Sequence, residues 1–309
     1  MQVSVVLSVY NSNAYLETQL ASLRKQSQQP DEVLIIDDCS TDDSYAQIKA
    51  FIENHNLAES WRLIRNQQNL GWKKSFMEGI AKAQGELIFL CDQDDIWRLD
   101  KIAKMAKIMQ ANPQIQVLAT NYRELSENGS HKLRPYPNDQ KLIRYSLEAN
   151  PDIMAIRAPG CSYAFRKSFF KVCQPYWTKE TPHDALLWRL ALVSDGLYWF
   201  RDDLLTWRKY QTSTFKQESQ LTTGRQKQVE MLAYSHKTIQ NLRAYLLKQR
   251  NPDRYKLRFL EDNLRWINLR TTYYEYPSLK AGLALLDYRS LYTYRWQYYR
   301  DLWLGLWKG

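Results

Sequence analysis

Five short apolar runs, separated by helix-length segments, limit what this 309-residue chain can fold into more than any other feature. Val3 to Val9, Glu32 to Asp37, Trp61 to Arg65, Glu86 to Cys91 and Gln116 to Thr120 read as strands. Between them, apolar residues at helical spacing predict a helix through Tyr15, Leu16, Leu20 and Leu23, and others over Asp43 to Glu53, Lys73 to Ala83 and Leu99 to Gln110. Strands that lack a polar face are buried on both sides, and parallel neighbours need a helix-length crossover. The pattern predicts an α/β fold: a mostly parallel central sheet flanked by helices.

In open sheets of this kind, ligands bind beyond the carboxyl ends of the strands. This chain loads those ends. The first strand runs into Tyr10-Asn11, the second into Asp37-Asp38-Cys39-Ser40-Thr41-Asp42, and the fourth into Cys91-Asp92-Gln93-Asp94-Asp95-Ile96-Trp97. Three carboxylates in four positions repel one another, and a hard divalent cation, Mg²⁺ or Mn²⁺, shared with phosphate oxygens relieves that repulsion. A turn whose last Asp caps the next helix explains the same residues without a ligand. Asp38, at its strand tip, is expected to be free to accept hydrogen bonds from the imide or hydroxyl groups of a ligand. Tyr10, on the adjacent tip, either stacks against a planar base or simply packs. Ser40, Thr41 or Asp42 is expected to cap the following helix.

After Thr120 the rhythm changes. Asn121 to Asn138 is polar, contains Gly129, Pro135 and Pro137, and is expected to be a long loop. Gly160 to Phe165 suggests a strand after a tight turn. Thr181-Pro182-His183-Asp184 opens a helix through Leu186, Leu187, Leu190 and Val193, and Leu197 to Trp207 returns to the sheet. Beyond about Phe215 only helices are expected, so residues 1–215 and 216–309 are read as two domains. The second domain is chemically distinct. Residues 220–309 hold nine of the ten net positive charges and 11 of the 21 tyrosines.

No window approaches 18 uninterrupted apolar residues, which argues against a membrane span. The start, Met1 to Leu7, has no basic leader and reads as a strand rather than a signal peptide. Cys39, Cys91, Cys161 and Cys173 form no CxxC pair, so reduced thiols in a cytoplasmic protein are expected.

Ser8-Val9-Tyr10-Asn11, Ile36-Asp37-Asp38-Cys39-Ser40-Thr41-Asp42, Asn69-Leu70-Gly71 and Asp92-Gln93-Asp94-Asp95-Ile96-Trp97 follow one another in an order that resembles family-2 glycosyltransferases of the GT-A fold. The resemblance covers about residues 1–215 and implies a sheet flanked by helices, with a C-terminal helical extension outside it. It implies that Tyr10 and Asp38 hold the nucleotide base of a sugar donor. It further implies that Asp92 and Asp94 form a DxD motif, the first on ribose or metal and the second on a metal (Mn²⁺ or Mg²⁺) bridging the diphosphate. Lys73 and Arg208 would reach phosphate. In members that invert the anomeric centre, a carboxylate opening a later helix is the base, and Asp184 matches it. An Asp or Glu is suited to that role because an acceptor hydroxyl must lose its proton as it attacks. A helix-start carboxylate favoured by the dipole is the structural alternative for Asp184, and His183 beside it is read as incidental and exposed. The chain departs from the family at Cys39, where Gly is common. It departs again at Trp207-Arg208-Lys209-Tyr210-Gln211-Thr212-Ser213, where Tyr210 and Ser213 replace His and Asn.

The expected activity is therefore inverting, metal-dependent transfer of a sugar from a nucleotide-sugar donor, UDP-hexose or dTDP-rhamnose. The acceptor would be an oligosaccharide, lipid-linked or protein-linked, of a bacterial surface polysaccharide or glycoprotein glycan. Tyr288, Tyr292, Trp296, Tyr299, Trp303 and Trp307 recur every three to four residues. This stripe is read first as a homo-oligomer contact through the C-terminal helices, second as a peripheral contact at the inner face of the membrane, and last as a nucleic-acid stack, which the first 215 residues argue against. Two rival classes remain. A nucleotidyltransferase or nucleotide-sugar diphosphatase would need a Gly-rich phosphate loop that is not present, and a non-catalytic polyanion binder would rest on the basic tail alone.

Overall fold

The computed structural model describes residues 1–136, 139–209, 224–292 and 294–307. They form two compact units. One takes Met1–Tyr145, Ile156–Ala191 and the stretch from Asp195 to Lys209. The other takes Ser146–Ala155, Leu192–Ser194 and the described residues from 224 onward.

In the first unit, β1 (Val3–Val9), β2 (Glu32–Asp37), β3 (Trp61–Arg65) and β4 (Leu87–Cys91) are linked through α1 (Leu16–Arg24), α2 (Ser44–Asn54) and α3 (Trp72–Lys82). β1 lies between β2 and β4 and is parallel to both, with Val6 opposite Leu34 on one side and Leu90 on the other. Every residue of these three strands is buried. Each buried Val, Leu or Ile contributes on the order of 1.5–3 kcal/mol, so the continuous apolar runs set both the position and the register. β3 pairs parallel with β2 and ends the sheet. It buries Trp61 and exposes Arg62 and Arg65, charges that discourage further strand pairing at an edge.

The chain continues through β5 (Ile96–Trp97), α4 (Lys101–Ala111), β6 (Val117–Ser126), β7 (His131–Leu133), β8 (Leu142–Arg144), β9 (Tyr163–Arg166), α5 (Lys167–Cys173), α6 (His183–Val193) and β10 (Leu197–Lys209). Among the described residues the sheet order is β3-β2-β1-β4-β9-β6-β10-β5, with β7 on β6 and β8 on β10. β9 runs antiparallel to β4 and β6, while β6 and β10 are parallel. The result is the expected mostly parallel sheet, and its carboxyl ends carry the polar clusters.

Two local expectations need correction. The stretch from Asn121 is not a loop: β6 runs on to Ser126 along β10, and His131–Leu133 folds back on it as β7. Ladder hydrogen bonds use the backbone, so a strand held on both sides does not need apolar side chains. Gly160–Ser162 is a 3₁₀ turn, and the strand begins only at Tyr163.

The second unit contains α7 (Gly224–Leu247), α8 (Arg254–Glu275), α9 (Leu279–Ala284), a 3₁₀ segment Leu285–Leu291 and α10 (Arg295–Trp307). Asp253 caps α8 by accepting from the Lys256 amide at 3.1 Å. Tyr273, Leu285, Tyr292 and Tyr298 make a small core. Beside it lies the fully buried Asp301, which accepts from Arg270 Nε (2.7 Å) and Nη2 (3.1 Å), Tyr274 Oη (2.7 Å) and Tyr292 Oη (2.9 Å). The expected boundary at Phe215, together with Tyr210 and Ser213, lies outside the described residues, as does the Trp307 side chain. No described helix is long and apolar enough to cross a membrane.

Candidate active site

The β2 tip is held by unusual backbone geometry. Cys39 takes φ +63° and Asn11, at the β1 tip, φ +49°. Both lie in the left-handed region where glycine is unstrained, which accounts for the glycine common at the Cys39 position. Asn11 Oδ1 accepts from the Thr41 amide at 2.9 Å and the Asn11 amide donates to Ser40 Oγ at 3.1 Å, tying the two tips together. Asp37 is buried, accepts from the Ser40 amide and pairs with Arg65 Nε at 3.3 Å. The cap position of α2 is Asp43, not Ser40, Thr41 or Asp42, and it makes no side-chain cap hydrogen bond; Asp42, one residue earlier, accepts from the Ser44 amide at 2.9 Å.

Asp38 is not the free acceptor that its place in the sequence suggested. It is buried, and its oxygens accept from Asn66 Nδ2 (2.7 Å), the Leu70 amide (2.9 Å) and the Gly71 amide (2.8 Å). A carboxylate has about four lone-pair sites, so room for about one ligand donor remains. Its main structural effect is to shape the 66–71 loop. Gly71 there takes φ +80° and leads into α3.

The acidic loop after β4 is bound to the β1 tip, because the Tyr10 amide donates to Gln93 Oε1 at 2.7 Å. The Tyr10 ring is 42 % exposed, open to stacking. Asp92, Asp95 and Cys161 place potential ligand atoms within 4.8 Å of one another. Burial, then Asp94 and Asp184, raise the Asp92 carboxyl to about 7. Burial and the Asp92 and Asp94 charges also push Asp95 well above the usual carboxylate range. Both Asp95 oxygens are buried without a hydrogen-bond partner; the Cys161 thiol favours the ionised form of Asp95 but is not placed as a full hydrogen bond. Below them Lys101 is fully buried. It donates to the Cys161 carbonyl at 2.6 Å, with its ammonium 3.6 Å from the centroid of the Trp97 ring. Burial lowers Lys101 to about 8.

Asp184 opens α6 against the Gly160 turn. A Cβ on Gly160 would lie 2.9 Å from Asp184 Cβ and 3.3 Å from its Oδ2. Only glycine leaves that carboxylate its place. His183 is buried rather than exposed, stacked on Phe76 at 4.1 Å and edge-on to Trp72 at 5.8 Å. Burial lowers its imidazole to about 4, so at neutral pH it is an uncharged packing group beside Asp184. Lys73 stands over the Trp72 ring at 5.2 Å, at the start of α3. Arg208, on β10, donates from Nε to the Asp94 carbonyl at 3.2 Å and lies over the Tyr15 ring at 4.4 Å.

The structure thus joins Tyr10, the 92–95 loop and Arg208 by direct hydrogen bonds, and joins Asp184 to the loop through Asp92 and the Gly160–Cys161 turn. Asp38 and Lys73 bracket the 66–71 loop, whose following helix packs on His183. The triad of potential ligands groups Asp92 with Asp95 and Cys161 rather than with Asp94. Sequence reasoning missed Asp95, Cys161 and Lys101. Asp95 was visible as the last acid of its cluster, whereas nothing in the sequence signalled the other two. The carboxylates, with both Asp95 oxygens buried and without a partner, fit a hard divalent cation. The Cys161 thiol does not, being soft and, by burial among carboxylates, pushed well above its ordinary range. Asp92 and Asp94 or Asp95 would hold such an ion.

A protein-family model described as "Glycosyl transferase family 2" matches residues 4–172. The chain is 25% identical over 234 residues to glycosyltransferase GlyG of Streptococcus pneumoniae, covering 72% of this chain and 76% of that protein. It is 24% identical over 201 residues to UDP-Gal:alpha-D-GlcNAc-diphosphoundecaprenol beta-1,3-galactosyltransferase of Escherichia coli, covering 62% and 68%. Against several other curated relatives it spans only 36% to 52% of their length. Among solved structures, S. aureus TarS 1–349 in complex with UDP-GlcNAc shares the fold with a TM-score of 0.63 at 18% identity, covering 98% of this chain and 82% of that one.

Proposed function

The chain belongs to glycosyl transferase family 2, and we propose that it moves one sugar from a nucleoside-diphosphate donor to an oligosaccharide acceptor of a bacterial surface glycan, inverting the anomeric centre. The observation that carries this reading is the meeting of the 92–95 carboxylates with Asp184 across the Gly160 turn. Asp92 and Asp94 or Asp95 would hold a divalent cation, Mn²⁺ or Mg²⁺, at the donor diphosphate. When bound, that cation neutralises charge gathering on the leaving group.

The protein's own groups do the rest. Tyr10 stacks on the base, and the remaining capacity of Asp38 accepts from it. Arg208 and Lys73 offer positive charge to the phosphates. Asp184 takes the proton from the acceptor hydroxyl as that oxygen bonds to the anomeric carbon and the bond to the diphosphate oxygen breaks. His183, neutral and packed, holds the start of α6 in place without competing as a base.

UDP-hexose is our first donor and dTDP-rhamnose the second; the UDP-GlcNAc bound by the TarS fold relative supports a uridine nucleotide. The Escherichia coli relative is named for a diphosphoundecaprenol acceptor, which supports a lipid-linked glycan here, with a protein-linked one as the alternative. Such an acceptor places the enzyme in the cytoplasm at the inner face of the membrane. The test is a thermal-shift panel of nucleotide sugars with and without Mn²⁺. A ligand at about 100 times its Kd adds about 2.7 kcal/mol of apparent stability. One nucleotide sugar should raise Tm, and more so with Mn²⁺; a panel in which none does would overturn the reading.

A further inference from the structure

The last two helices each turn large apolar side chains to solvent. On α9 and the 3₁₀ segment after it, Leu279, Leu283 and Leu286 (71, 61 and 41 % exposed) share one helical face. On α10, Trp296, Tyr299 and Trp303 (56, 68 and 50 %) share another. Both stripes border one seam, because Tyr298 Oη donates to the Gly282 carbonyl at 3.3 Å and a Cβ on Gly282 would lie 2.7 Å from Leu302. The inner row of α10 is committed: Tyr298, Asp301 and Leu304 are buried, and Asp301 is locked to Arg270, Tyr274 and Tyr292. The outer row is therefore held outward by structure and is not free to turn in.

We propose that this face rests on the surface of an anionic lipid bilayer. Trp and Tyr combine a large apolar body with a polar edge and collect at membrane–water interfaces, while leucines reach further into the acyl boundary. Charge selects the occupant. Lys280 and Arg289 are exposed on the same stretch against one exposed acid, Asp287, and the Arg300 guanidinium, 3.9 Å from the buried Asp301, lies 5.2 Å from the centroid of the Trp296 ring. Residues 220–309 carry nine of the ten net positive charges. A second copy would bring the same positive surface against this one, whereas anionic headgroups complement it. No described helix spans a membrane, so the contact is peripheral. The proposal does not depend on the catalytic reading.

The test is flotation of the full chain with phosphatidylcholine vesicles, with and without about 30 % phosphatidylglycerol, alongside light scattering of the free protein. The chain should float with anionic vesicles, less so at high salt, and emission from Trp296 and Trp303 should shift to the blue. The triple variant Trp296→Ser, Tyr299→Ser, Trp303→Ser should partition at least about tenfold less, yet keep the circular dichroism of the parent and its donor turnover on a water-soluble acceptor. Equal partition of parent and variant, or no binding of the parent to anionic vesicles, overturns the proposal. So does a dimeric mass that the triple substitution reduces to one chain, which would make the occupant a second copy. A parent that turns over no donor but still floats counts against the catalytic reading alone.

Discussion

Lowering the pH should destabilise the fold through His183 in particular, and the size of the effect follows from its surroundings. The imidazole is 4 % exposed, stacked on Phe76, edge-on to Trp72, and its Nδ1 has no partner. Burial holds its pKa at about 4 in the folded chain, against 6.5 for the free side chain; Asp184 offsets only part of that. The folded state thus resists a proton that the unfolded chain accepts. Stability is full above pH 6.5 and falls as pH drops from there towards 4. At 1.36 kcal/mol per pH unit, the loss by pH 5 is about 2 kcal/mol, or about 4–8 °C in Tm for a unit of about 200 residues. The assay compares urea and thermal unfolding of the parent and of His183→Phe at pH 7.5 and pH 5. Phe keeps the stack and cannot titrate, so its pH-dependent loss should be smaller by about 2 kcal/mol. Equal losses in the two proteins would show that His183 does not carry this pH dependence.

Three further substitutions probe the network. Asp301→Ala strips Arg270 and two tyrosines of their shared acceptor, and breaking one partner of a buried pair costs about 3–5 kcal/mol; a loss under 1 kcal/mol in urea titration would contradict that. Asp38→Ala leaves the Leu70 amide without its acceptor, at about 1–3 kcal/mol, while the Gly71 amide keeps Asn69 Oδ1, and it should also raise the donor KM. A KM rise with unchanged stability would contradict the packing role. Gly160→Ala forces a methyl against Asp184. It should lower kcat with little change in donor KM, and unchanged kcat would mean that the carboxylate's place does not matter.

The sequence revealed the fold where physics leaves one choice. β1 and β2 lie where their apolar runs lie, because a strand buried on both faces leaves little room for a polar residue without a partner. It misled where side-chain character and backbone pairing part company. β6 carries Asn121, Arg123 and Glu124 and still forms a ladder, since β10 beside it satisfies the backbone. The aromatic repeat from Tyr288 to Trp303 is one stripe on paper but two in space: the backbone departs from helical geometry at Tyr288, Tyr292 turns inward to Asp301, and only the α10 members face solvent. Within the candidate site the acids were legible as a local cluster. Cys161 and Lys101 were not, because each reaches the cluster only through tertiary contacts, and a buried lysine resembles any other helical lysine until its surroundings are known. The apparent freedom of Asp38 failed for the same reason: its three donors sit about 30 residues further along the chain.

The account rests on Asp184 acting on a sugar donor held by the carboxylates after β4. The most direct measurement is steady-state transfer by Asp184→Asn, with donor affinity measured on the same sample by calorimetry in Mn²⁺. The account predicts donor affinity within a few-fold of the parent and kcat lower by about 10²–10⁴. A variant that binds donor equally well and turns over within about tenfold of the parent contradicts it.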